Sequence, residues 1–104
     1  WGLEVEPSQV IVTSGATEAL AASLMALLNP GDEAIIIEPF YDCYLPMIEQ
    51  AGATAKVVAL KPPHWSLPMD ELEAAFSDKT KLLILNNPMN PTGKVFTRDL
   101  FEAD

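Results

Sequence analysis

Three short stretches carry residue types that could do chemistry. The first is Asn86-Asn87-Pro88-Met89-Asn90-Pro91-Thr92-Gly93-Lys94. Its carboxamides can donate to a phenolate-type oxygen without adding charge. Pro91 and Gly93 are turn formers that would aim Asn90. The second is Ser14-Gly15-Ala16-Thr17. Gly15 permits close approach of the backbone to a ligand. A helix starting there offers unpaired N–H groups and a positive dipole end, which suit a phosphate. Thr17 adds a hydroxyl donor, while Glu18 must turn its charge away from any anion. The third is Pro39-Phe40-Tyr41-Asp42. An aromatic face there could stack on a flat heteroaromatic ring; Tyr41 is the candidate and Phe40 is assigned to the core. Each stretch taken alone is equally readable as structure: a surface turn, a capped strand-to-helix turn, a pair of packed rings. Neither the P-loop pattern nor Gly-x-Gly-x-x-Gly is present.

The elements that must position these stretches alternate in type. Residues 10–13, 34–37, 56–60 and 81–85 are short aliphatic or β-branched runs and read as strands. The run Ala34-Ile35-Ile36-Ile37 lacks polar alternation, which suits a parallel strand covered on both faces. Residues 18–28, 42–50 and 70–76 read as helices, the first from Leu20, Leu24, Leu27 and Leu28 at helical spacing. Pro46 is tolerable only in the first turn of its helix. Thr97 reads as the N-cap of a further helix carrying Leu100 and Phe101. Strands alternating with helices predict an α/β fold, a mostly parallel sheet with flanking helices. In such a sheet the loops after strands share one edge, where ligands bind. All three stretches fall on that edge. Cys43 and Tyr44 read as packing residues, and His64, in a Pro-rich loop, as a surface residue.

The totals narrow the partners. The chain has 104 residues, 49% of them hydrophobic, so residues 1–104 are read as a single domain. Its net charge of −9 speaks against nucleic acid or an anionic membrane as a main partner. The acidity is spread along the chain and reads as a solubilising surface. One cysteine allows no internal disulfide and suits a reducing, cytoplasmic setting. No apolar run approaches the roughly 20 residues of a membrane span. The first residues show no initiator Met and no signal peptide, and the last open a helix that is then abandoned. Both ends are therefore read as cut, and the domain as partial.

Together the three loops offer a phosphate seat, a stacking ring and a neutral amide donor, and here the sequence resembles a known family. Thr13-Ser14-Gly15-Ala16-Thr17-Glu18-Ala19-Leu20, Glu38-Pro39-Phe40-Tyr41-Asp42-Cys43-Tyr44 and the Asn-Pro-Thr-Gly stretch resemble, in order, the cofactor domain of fold-type I pyridoxal-phosphate enzymes of the class I/II aminotransferases. Asn29-Pro30-Gly31-Asp32 matches a turn common in that family. The Glu-Pro-Phe-Tyr-Asp-Cys-Tyr stretch is most similar to the branch of kynurenine and glutamine transaminases and cysteine-conjugate β-lyases. The resemblance implies that Gly15, Ala16 and Thr17 hold the phosphate of pyridoxal 5'-phosphate. It implies that Tyr41 stacks on the pyridine and that Asn90 bonds the ring oxygen and helps orient the substrate carboxylate. It implies amino acid and 2-oxo acid substrates and a homodimeric parent.

The resemblance also implies what this chain lacks. The family's Schiff-base lysine, the acid that pairs with the pyridine nitrogen and the arginine that binds the substrate carboxylate all follow the Asn-Pro-Thr-Gly loop. The lysines here are Lys56, Lys61, Lys79, Lys81 and Lys94, and none sits in a Ser-x-x-Lys setting. No catalytic residue is assigned, and the chain by itself is expected to be inactive. In the family's sheet the strand at residues 10–13 lies apart from the other three, separated by strands formed later, so it is expected to lack its neighbour. Two other readings stand beside aminotransfer: β-elimination from a cysteine conjugate, and a non-catalytic α/β module that binds a phosphorylated small molecule.

Overall fold

The computed structural model describes residues 2–101, excluding the Phe101 side chain; Trp1 and residues 102–104 lie outside the described residues. Three parallel strands form its centre, in the spatial order β2-β1-β3. They are β1 (Glu33–Glu38), β2 (Thr54–Ala59) and β3 (Thr80–Ile84). Ala34 to Ile37 are all buried, so the unbroken apolar run is the central strand, as its lack of alternation predicts. Ile35 faces Lys56 on one side and Leu83 on the other. A register shift between Glu33 and Ala34 marks the start of the β1–β3 pairing.

Successive β1 side chains point to opposite faces and build two cores. Ala34 and Ile36 pack with Leu24 and Leu28 of helix α1 (Gly15–Leu27) and its end, and with Tyr44 and Ile48 of α2 (Tyr44–Gln50). Ile35 and Ile37 pack with Val58, Leu60, Met89 and Phe96, against Leu72 of α3 (Met69–Ala75) and Leu100 of α4 (Arg98–Phe101). The loop after β3 thus contributes two buried side chains, Met89 and Phe96, to the second core.

Two expectations are corrected. Residues 10–13 are not a strand: the backbone is extended at Val10, but no partner pairs with it among the described residues. Ile11 and Val12 stand 86% and 93% exposed, so β propensity without a neighbouring ladder leaves the segment unpaired. Helix α1 begins at Gly15 and not at Glu18, so Gly15, Ala16 and Thr17 form its first turn. Pro46 lies in the first turn of α2, where its missing N–H costs nothing.

Candidate functional site

The first turn of α1 has a specific amide inventory. The Gly15 amide donates to the Thr13 carbonyl at 2.9 Å. The Ser14 amide donates to the Glu18 carboxylate, so that charge turns back to the residue before the helix. The Thr13 hydroxyl donates to the Gly15 carbonyl at 2.8 Å. At the second and third helical positions, the amides of Ala16 and Thr17 have no intrahelical acceptor. Gly15 sits at φ +74°, and a Cβ built there would meet nothing within 4 Å. Gly15, Ala16 and Thr17 are all exposed to solvent.

A cavity of about 350 Å³ lies beside this turn, lined by Ala16, Ala19, Leu20, Tyr44, Leu85 and Asn86 among others. It joins the α1 turn to the carboxyl end of β3. Tyr44 forms part of its wall and is held edge-on against Tyr41, with ring centroids 5.8 Å apart and planes at 78°. Burial, and secondarily Tyr41, raises the Tyr44 phenol above its ordinary value. Phe40 and Tyr41 are both half-buried against the α1–α2 core, so the two rings share one environment.

The Asn90 backbone is tied to the cavity: its amide donates to Asn86 Oδ1 at 2.7 Å. The Asn90 side chain is exposed. Of the residues singled out by sequence, Ala16 lines the cavity and Gly15, Thr17, Tyr41 and Asn90 do not. Gly15 and Thr17 flank Ala16 in the turn, Tyr41 touches the lining residue Tyr44, and the Asn90 amide is bonded to the lining residue Asn86. Tyr44, read from sequence as a packing residue, is buried in the α1–α2 core and also lines the cavity; its spacing three residues beyond Tyr41 is the signal for a shared wall. Among the described residues no lysine lines the cavity. Lys56 pairs with Glu33 at 3.4 Å, Lys61 with Glu71 at 2.9 Å, and Lys94 Nζ donates to the His64 carbonyl at 3.0 Å. Among the described residues no cluster of His, Cys, Asp or Glu could hold a metal ion. No helix there is long and apolar enough to cross a membrane.

Open amides at a helix start, a half-buried ring and an exposed carboxamide at one edge of a parallel sheet fit a phosphorylated aromatic ligand. The protein class so defined is an α/β protein with a parallel sheet, a class in which ligands bind at the carboxyl edge of the strands. The model of the aminotransferase class I and II family matches residues 1–103, and the chain belongs to that family, whose members depend on pyridoxal phosphate. It is 46% identical over 101 residues to kynurenine–oxoglutarate transaminase 3 of Homo sapiens, covering 88% of this chain and 22% of that protein. It is 45% identical over 96 residues to methionine aminotransferase of Escherichia coli, covering 92% of this chain and 25% of that protein. The structure of N-succinyldiaminopimelate aminotransferase from Mycobacterium tuberculosis superposes with a TM-score of 0.89 at 44% identity, over 93% of this chain and 26% of that one. The chain spans about a quarter of the length of these relatives.

Proposed function

We propose that the protein carrying this chain is a pyridoxal-phosphate-dependent aminotransferase that moves an amino group between an amino acid and a 2-oxo acid. The observation that carries this reading is the open first turn of α1, facing a cavity shared with the Asn86 end of β3. In this reading the Ala16 and Thr17 amides bind the cofactor phosphate, with Gly15 leaving room for it. Tyr41 orients the pyridine by stacking, and Tyr44 braces Tyr41 from the side. The Asn90 carboxamide donates to the ring oxygen and orients the substrate carboxylate. When bound, pyridoxal phosphate supplies an electron-withdrawing ring that stabilises negative charge at the substrate Cα. This chain contributes binding and orientation; the group that moves the proton at Cα lies outside it, so the chain alone is inactive.

The test is a product assay on the protein that carries the chain, given an amino acid, a 2-oxo acid and pyridoxal phosphate. A new amino acid is the expected product. Ammonia and pyruvate from a cysteine conjugate, with no new amino acid, would replace aminotransfer by β-elimination. Light scattering on the same protein tests its proposed homodimeric state, and fractionation of the source cell tests its proposed cytoplasmic location.

A further inference from the structure

The loop between β3 and α4 is closed by one of its own side chains. Asn87 Oδ1 accepts from the Phe96 amide at 2.9 Å, and Asn87 Nδ2 donates to the Phe96 carbonyl at 3.1 Å. A neutral carboxamide can make both bonds at once because it carries an acceptor and a donor side by side. The far end of this clamp is fixed, since Phe96 is 5% exposed and packs in the core beneath β1. Within the loop Met89 is 4% exposed in the same core. Its amide donates to the Lys94 carbonyl at 2.8 Å, and its carbonyl accepts from the Gly93 amide at 2.7 Å. Asn90, the next residue, is exposed, with its own amide on Asn86 Oδ1. The segment that displays Asn90 is therefore suspended between two buried side chains and drawn shut at its base by Asn87.

We propose that Asn87 is a positioning residue for Asn90: by clamping Phe96 it sets where the Asn90 carboxamide stands at the carboxyl edge of the sheet. Asn87 does not line the cavity. It acts by holding the base of the loop, while Asn86 holds the Asn90 amide directly. The inference rests on the role given to Asn90 in the proposed cofactor site. It adds to that reading a residue whose effect on the ligand passes wholly through another.

A double-mutant cycle on the protein that carries this chain tests it, with pyridoxal phosphate affinity read by absorbance titration of the cofactor-free form. Asn87→Ala is expected to weaken binding about 10-fold, on the scale of one displaced hydrogen bond. In an Asn90→Ala background the same substitution is expected to change affinity by less than about 2-fold, because there is no longer a carboxamide to misplace. Equal losses in both backgrounds would overturn the inference and leave the cofactor site intact. No loss from Asn90→Ala alone would overturn the inference together with the assigned role of Asn90. Asn87→Asp serves where the alanine variant fails to fold: it keeps the bond to the Phe96 amide and sets a carboxylate oxygen against the Phe96 carbonyl. Amide exchange supplies a reading independent of the cofactor. Phe96 and Asn90 are expected to exchange faster together in Asn87→Ala, which removes the acceptor of the Phe96 amide; acceleration at Phe96 alone would overturn the coupling.

Discussion

Substituting Gly15 by alanine separates the backbone requirement of the α1 turn from its packing. Gly15 holds φ +74° and an added Cβ would touch nothing within 4 Å. The cost is therefore conformational alone, about 1–2 kcal/mol for an L residue in the left-handed region. Gly52 is the internal control. Its φ of +78° is nearly the same, but there a Cβ would lie 3.1 Å from Pro30 Cγ and 3.2 Å from Pro30 Cα. Strain and contact add at Gly52, for a total of about 2–4 kcal/mol. Open space at residue 15 gives Gly15→Ala a second outlet. The backbone can relax to negative φ, which turns the Ala16 and Thr17 amides away from the cavity. Gly15→Ala is therefore expected to lose phosphate-dependent binding along with modest stability. Gly15→Asn, whose side chain tolerates the left-handed region, is expected to recover much of both. Urea unfolding followed by circular dichroism measures the first effect. Titration with pyridoxal phosphate and with pyridoxal measures the second, since only the former carries the phosphate. Gly15→Ala with unchanged stability and an unchanged preference for the phosphorylated form would refute the reasoning. A Gly15→Ala cost equal to that of Gly52→Ala would show that the space around residue 15 is not open.

Glu18→Gln keeps an acceptor for the Ser14 amide and removes a negative charge one turn from the proposed phosphate seat. Inorganic phosphate and pyridoxal phosphate are both expected to bind several-fold more tightly in this variant while pyridoxal is unaffected, a gain of roughly 0.5–1 kcal/mol read by direct titration. Glu33 is held below its ordinary value of 4.5, first by the Ser77 hydroxyl, 2.6 Å from its carboxylate, and then by Lys56. A depressed carboxylate stabilises the fold above that ordinary value, and the contribution is lost as pH falls through the lower folded value. Ser77→Ala is expected to flatten the loss of stability below pH 4.5 in acid unfolding curves. The Tyr44 phenol shifts the other way, upward from 10.0, so its contribution is intact below that pH and is lost as pH rises through the folded value. Tyr44→Phe is expected to remove this alkaline loss, read from stability against pH, while leaving the wall of the cavity in place.

Periodicity and composition were enough to place β1, because a strand with four consecutive apolar side chains must be covered on both faces. They also placed β2, β3 and the three longer helices to within a few residues, and parallel topology then put the chemically distinctive loops on one edge. Sequence alone read a strand at residues 10–13 where none forms, although it also expected that segment to lack its neighbour. A strand exists through its ladder, and local β propensity cannot supply the neighbour. It also could not show that Gly15 to Thr17 are helical, which is what exposes the Ala16 and Thr17 amides. The cavity wall belongs to tertiary structure: Ala16, Tyr44 and Asn86 are far apart in sequence and meet only once β1 and β3 pair and α1 covers them. The same holds for the Asn87 clamp. Its donor and acceptor match Phe96 nine residues on only because burial of Met89 and Phe96 folds the loop back to that distance. Residue type determined which groups could bind a phosphorylated ring; the packing of the second core decided where Asn90 stands.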